Sequence, residues 1–172
     1  TGYDDSMTRW LTEDEQRSWR AWLSASVLLT DRLSRDLQEQ HGLTIADYEI
    51  LVRLSEIQDR RMRMSELADA TLSSRSRLSH QIDRMERAGL VERQVCADDR
   101  RGAFAALTDT GWATLVASAP DHVTSVRKHL VDQLSADDFA VLGSACQQVA
   151  DHLTSLDSDG RAGAPAGGRV GL

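Results

Sequence analysis

Cysteine and proline are almost missing from this 172-residue chain, with two of each, and aromatic residues make up only 5% of it. Cys96 and Cys146 have no second Cys or His beside them at metal-ligand spacing. They read as reduced, packed thiols, which excludes a disulfide-stapled scaffold. No apolar run approaches the ~18 residues that span a bilayer, and no basic-then-apolar signal segment opens the chain, so a soluble, cytoplasmic protein is expected. A glycine-rich phosphate loop, a nucleophile elbow and a catalytic triad are all missing, and neither an enzyme nor a cofactor is expected. Lysine is absent but for Lys128.

The residues present include 41% hydrophobics, enough for a packed core. Formal charge is −7, which by itself argues against a polyanionic partner. The average conceals a division. Arg60 to Arg101 holds ten arginines against seven acids, while the rest of the chain has ten basic and twenty acidic residues. Phosphates respond to the local patch, within a Debye length of ~8 Å at physiological salt. Arginine is also the cation suited to forked contacts with phosphate or guanine.

Periodicity predicts six helices and a hairpin. Residues 1–6 read as a polar leader. Thr12-Glu13-Asp14-Glu15 is a capping box, opening a first helix in which Trp19, Trp22, Leu23, Leu29, Leu33 and Leu37 recur at helical spacing. It should stop at His41-Gly42. Thr44 caps a second helix with Ile45, Tyr48, Leu51, Val52 and Leu54 on its apolar side, and the polar run Gln58-Asp59-Arg60-Arg61 breaks the pattern. Ser65 should cap a short third helix through Ala70, and Ser73 or Ser74 a fourth that Gly89 stops. Leu90–Cys96 and Ala103–Leu107 read as two strands of a β-hairpin, with residues 97–102 as its loop. Thr108 caps a fifth helix that Pro120 should kink or end, and Ser135-Ala136-Asp137-Asp138 opens a sixth. From Asp157 the chain is Gly, Ala, Ser, Asp and Arg with one Pro, a composition of disorder. The expected organisation is a leader and first helix within 1–43, three helices and the hairpin over 44–108, two further helices over 109–156 and a tail over 157–172.

The fourth helix carries the chemistry. Leu78, Ile82 and Met85 share one face, while Arg77, His80, Arg84 and Arg87 point roughly opposite at about 100° per residue. Such a helix fits a major groove with its first turns nearest the base edges. Ser74, Arg75 and Ser76 occupy that first turn, where the helix dipole also favours phosphate. A solvated polar face is the alternative for any exposed arginine row. The loop Asp98-Asp99-Arg100-Arg101-Gly102 tips the balance, because it places two cations where they can reach a minor groove or flanking backbone.

Ser65-Glu66-Leu67-Ala68, Asp83-Arg84-Met85-Glu86, Gly89-Leu90-Val91-Glu92-Arg93, Asp99-Arg100-Arg101-Gly102 and Leu107-Thr108-Asp109-Thr110-Gly111 together resemble the MarR family of bacterial regulators. The Asp-x-Arg loop followed by Leu-Thr-x-x-Gly is the most specific part, and residues 12–58 and 109–155 match in layout. The resemblance implies a mainly α fold with a small β-hairpin wing, a winged helix-turn-helix dimerised through helices from both termini. It implies a homodimer on a pseudo-palindromic double-stranded DNA operator, with Ser74, Arg75, Ser76, Arg77, Ser79, His80 and Arg84 on the recognition helix. On the same pattern Arg101 is the wing-tip arginine, beside Arg100, and Asp99 orients it. His80 stands where Arg is frequent, which leaves base preference open. The resemblance also implies a ligand-responsive repressor whose effector is a small aromatic acid. Trp19 with Arg17 and Arg20 would suit one, although core or dimer interface is the alternative for any single Trp.

Two other readings stay open. One is a winged-helix module that binds protein. The other is a redox or metal sensor on the same scaffold. Against the second, His122 and His129 have no Cys or carboxylate cluster at ligand spacing, so no metal site is expected. The first helix also lacks the reactive cysteine that peroxide-sensing relatives use.

Overall fold

The computed structural model describes residues 8–95 and 103–162. The chain divides between Arg127 and Lys128 into two compact units.

Local signals set the helix ends. In α1 (Glu13–His41) the Thr12 hydroxyl accepts the Glu15 N–H at 3.2 Å, and the Glu15 carboxylate accepts the Thr12 N–H at 2.8 Å. Gly42 closes α1 in the left-handed region at φ 68°, donating to the Gln38 carbonyl at 3.1 Å, a conformation that costs glycine least. α2 (Ile45–Ser55) opens on a second box, with Asp47 as the carboxylate answering Thr44.

β1 (Arg61–Arg63) follows α2, and the sequence pattern did not indicate it. It pairs antiparallel with β3 (Ala103–Leu107), which also pairs with β2 (Val91–Val95), so the expected hairpin is part of a three-stranded sheet in the order β1-β3-β2. Because Arg63 is committed to β1, α3 (Met64–Ala70) starts directly after it, without a side-chain cap. Ser65 lies inside α3 rather than capping it. α4 (Arg75–Arg87) is capped by Ser74, whose hydroxyl accepts the Arg77 N–H at 3.2 Å.

α5 (Asp109–His129) passes through Pro120 as one helix, so the expected local end there does not occur. A 3-10 turn (Val131–Gln133) then leads to α6 (Ala136–Ala162), which runs past the boundary expected at Asp157. Ser135 opens α6 by accepting the Asp138 N–H at 3.1 Å.

The core lies in the first unit. Leu37, Ile50, Leu51, Leu54, Leu67, Leu78, Ile82, Met85 and Val91 are each at most 2% exposed. Thr108 and Gly111 lock β3 and α5 to the turn after α4. The Thr108 hydroxyl lies 2.7 Å from the Gly89 carbonyl oxygen and accepts the Gly111 N–H at 2.9 Å. A Cβ on Gly111 would collide with the Leu90 carbonyl oxygen and the Leu107 side chain, so the Leu-Thr-x-x-Gly motif marks a close approach of backbones. In the single chain many large apolar side chains of the long helices are exposed, among them Trp19, Trp22, Val116, Val123, Phe139, Val149 and Leu153.

Candidate nucleic-acid interface

α4 has the two faces that its spacing predicts. Leu78, Ile82 and Met85 are at most 1% exposed, while Arg75, Ser76, Arg77 and His80 are exposed. Ser74 is exposed as well, but its hydroxyl is engaged as the helix cap. These residues bring cations, hydroxyls and an imidazole together on the outer side of the first turns.

Beside Ser74, two more of the sequence-predicted contact residues have protein partners. Arg84 reaches back to α2, its Nη2 lying 2.6 Å from Asp47 Oδ1. Asp47 is buried, and burial alone would raise its pKa. Hydrogen bonds from the Thr44 hydroxyl and Arg84, then from the Thr44 backbone N–H, together with the Arg84 charge, outweigh burial and hold the carboxyl below its ordinary value. Gln81 also donates to Asp47 Oδ1, at 3.4 Å. One carboxylate therefore caps α2 and anchors α4. Ser79 is half-buried, and its carbonyl and hydroxyl oxygens accept from Arg93 Nη2 at 2.9 and 3.0 Å.

Arg93 was not among the sequence-predicted site residues. From β2 it also meets Asp83 of α4 at 2.7 Å, and Glu86 accepts the Arg93 backbone N–H at 2.9 Å. These bonds fasten the root of the wing to α4, so the helix and the β2 strand form one body. The pairing was latent in the sequence as an Asp and an Arg in two adjoining motifs. Nothing local says that a strand arginine turns back toward a helix ten positions earlier. Arg63, Ser65, Arg75, Ser79 and Arg93 line a cleft of about 310 Å³ beside α4.

Asp99, Arg100, Arg101 and Cys96 lie outside the described residues. On α1, Arg17 pairs with Asp14, and Arg17 and Arg20 line a shallow depression with Glu13 and Gln16. Trp19 is 52% exposed and is not part of that lining. At ~100° per residue its side chain leaves α1 well away from both arginines. His122 packs against Tyr48 with the rings tilted by 42° and their centroids 4.3 Å apart.

Comparison with known proteins assigns the fold a family. The model of the MarR family matches residues 41–102. AbsC, a MarR family transcriptional regulator from Streptomyces coelicolor, is 54% identical, with 86% of this chain and 99% of AbsC covered at a TM-score of 0.81. This chain belongs to the MarR family. Sco3205, a second MarR family regulator from the same organism, crystallised in complex with DNA, is 43% identical. There the match covers 87% of this chain and 93% of Sco3205, at a TM-score of 0.83. The HTH-type transcriptional regulator PecS of Dickeya dadantii (strain 3937) is 28% identical over 138 residues, which is 77% of this chain and 80% of PecS. The MarR family consists of transcription regulators, and this member is not an enzyme. No helix among the described residues is long and apolar enough to cross a membrane.

Proposed function

We propose that this MarR family member is a repressor that binds a pseudo-palindromic operator as a homodimer and leaves it when a small aromatic acid binds. The observation that carries this reading is the two-faced α4, with Leu78, Ile82 and Met85 fixed in the core and Arg75, Ser76, Arg77 and His80 outside. A helix so placed enters a major groove ~12 Å wide, where Arg77 and His80 meet base edges. Ser74, Ser76 and Arg75 in the first turn meet phosphate. Asp99, Arg100 and Arg101 extend the contact to the minor groove or backbone. Ser79 and Arg84 serve this interface by fixing α4, through Arg93 and Asp47. The DNA complex of the 43%-identical relative supports a nucleic-acid partner.

The homodimer is supported by apolar surface with no cover in the single chain. On α1, Trp22, Leu23, Val27 and Leu28 are each more than 40% exposed, and on α6 so are Val141, Val149 and Leu153. Surfaces of this kind mark interaction sites, and a two-fold copy would set two α4 helices about one DNA turn apart. On α1, Arg20 is the carboxylate partner for the acid, with Arg17 secondary because Asp14 already holds it, and Trp19 lies outside the depression that the two arginines line. Light scattering together with nuclease footprinting on the DNA beside its own gene tests the reading. A dimer protecting two inverted half-sites, released by benzoic or phenolic acids, is expected. A monomer that protects no DNA would overturn it. A winged helix that docks protein instead would show no salt-dependent affinity for any duplex.

A further inference from the structure

Arg60, Arg61 and Arg63 fall within four residues, and the fold uses them differently. Arg60 is structural. Its backbone is left-handed at φ 48°, its carbonyl accepts the Leu107 N–H at 2.8 Å, and its guanidinium lies 4.2 Å from the centre of the Trp112 ring. It fixes the entry to β1 against β3 and α5. Arg61 and Arg63, two apart on that strand, share the opposite face from Met62, which packs against the core. Across the ladder Arg63 is paired with Phe104, and the guanidinium carbons of Arg61 and Arg63 lie 5.3 and 5.2 Å from the centre of the Phe104 ring. One aromatic ring thus splints two cations along the outer edge of the sheet. Stacking on an aromatic face holds a guanidinium plane in one orientation.

The placement is continuous with the interface already described. Arg63 lines the same cleft as Arg75 and Ser79 of α4 and Arg93 of β2. The acid on the outer face of β2, Glu92, accepts a hydrogen bond from Gln94 at 2.6 Å and is separated from Arg61 by the intervening strand, where both pair with Ala106. In a chain of net charge −7, an arginine pair splinted on an edge strand is complementary to a polyanion. We propose that Arg61 and Arg63, held by Phe104, are a further DNA contact of this chain, gripping backbone phosphates beside the groove that α4 reads. A forked guanidinium matches a phosphate in two hydrogen bonds and carries no base information, so the pair would position the protein without choosing sequence. The proposal rests on the DNA-binding reading above.

Anisotropy titrations of the full chain against a mixed-sequence duplex and a duplex selected by the protein, over a series of salt concentrations, test it. Arg61→Gln together with Arg63→Gln should weaken both duplexes by the same factor. It should also flatten the slope of log K against log salt by about 0.9 for each phosphate that is no longer neutralised. Phe104→Leu keeps both charges and removes the splint, so the slope should stay while affinity falls severalfold on both duplexes. Arg61→Gln alone, at an exposed position, gives the same readout if the double variant melts early. A folded variant with the wild-type slope, beside a wild type that binds with steep salt dependence, overturns this inference alone. A wild type that binds neither duplex overturns the DNA reading and this inference together.

Discussion

The guanidinium of Arg84 on the recognition helix lies 2.6 Å from the carboxylate of Asp47, which is buried at the start of α2. A residue that the sequence places among the DNA contacts is therefore tied to a buried carboxylate, while about half of its own side chain stays exposed at 54%. Asp47 has three roles at once, capping α2, receiving Gln81 and orienting α4.

Arg84→Gln should consequently act on stability before it acts on DNA. It leaves a buried carboxylate short of one charged partner, a loss of about 1–3 kcal/mol, and it should leave the salt slope of DNA binding unchanged. Urea denaturation gives the first quantity and salt titration the second. A slope lowered as far as a phosphate-binding arginine would lower it, with stability intact, would return Arg84 to the DNA face.

Asp47 also makes part of the stability dependent on pH. Its carboxyl titrates lower in the folded chain than in the unfolded one, so its contribution is complete above the unfolded value of ~3.9 and is lost as pH falls through the lower folded value. Asp47→Asn should thus destabilise most at neutral pH, and the gap from wild type should narrow in acid. A gap of constant size down to strongly acidic pH would contradict this.

Arg93 fastens the wing to the recognition helix through Asp83 and both oxygens of Ser79. Arg93→Gln should raise hydrogen exchange at β2 amides while α2 stays protected, because these bonds tie the wing and not the core. Discrimination between operator and scrambled DNA should fall with it. Unchanged exchange in β2 would show that the strand ladder alone holds the wing.

Gly111 sits where a Cβ would strike the Leu90 carbonyl oxygen. Gly111→Ala must push α5 from the turn after α4, at a cost of roughly 1–3 kcal/mol or more. Thermal melting checks it, and a variant as stable as wild type would mean that this junction yields easily.

Much of this was legible from short-range pattern. Thr12 with Glu15, Thr44 with Asp47, and Gly42 each act within a few residues, so the sequence displays the helix ends. The Leu78-Ile82-Met85 face was legible because helical period and burial coincide. β1 was not, since Arg-Met-Arg offers one apolar residue and becomes a strand only by pairing with Ala105 and its neighbours more than forty positions later. The same dependence on another element hid Arg84–Asp47 and Arg93–Asp83, where an exposed-looking arginine finds its acid elsewhere in the fold. At Pro120 the pattern allowed a kink or an end, and the structure removes the end. The proline takes one N–H from the helix ladder, yet α5 continues through it, with the Thr124 hydroxyl donating to the Pro120 carbonyl at 2.8 Å.

The central claim is that the outer face of α4 reads DNA, and Arg77 tests it most directly. Binding of wild type and Arg77→Ala should be measured across a salt series on a selected operator and on its scrambled counterpart. A base-edge contact predicts a loss of about 1–3 kcal/mol on the operator and a smaller loss on the scrambled duplex. Equal affinity of the two proteins on both duplexes, at every salt concentration, would contradict the account.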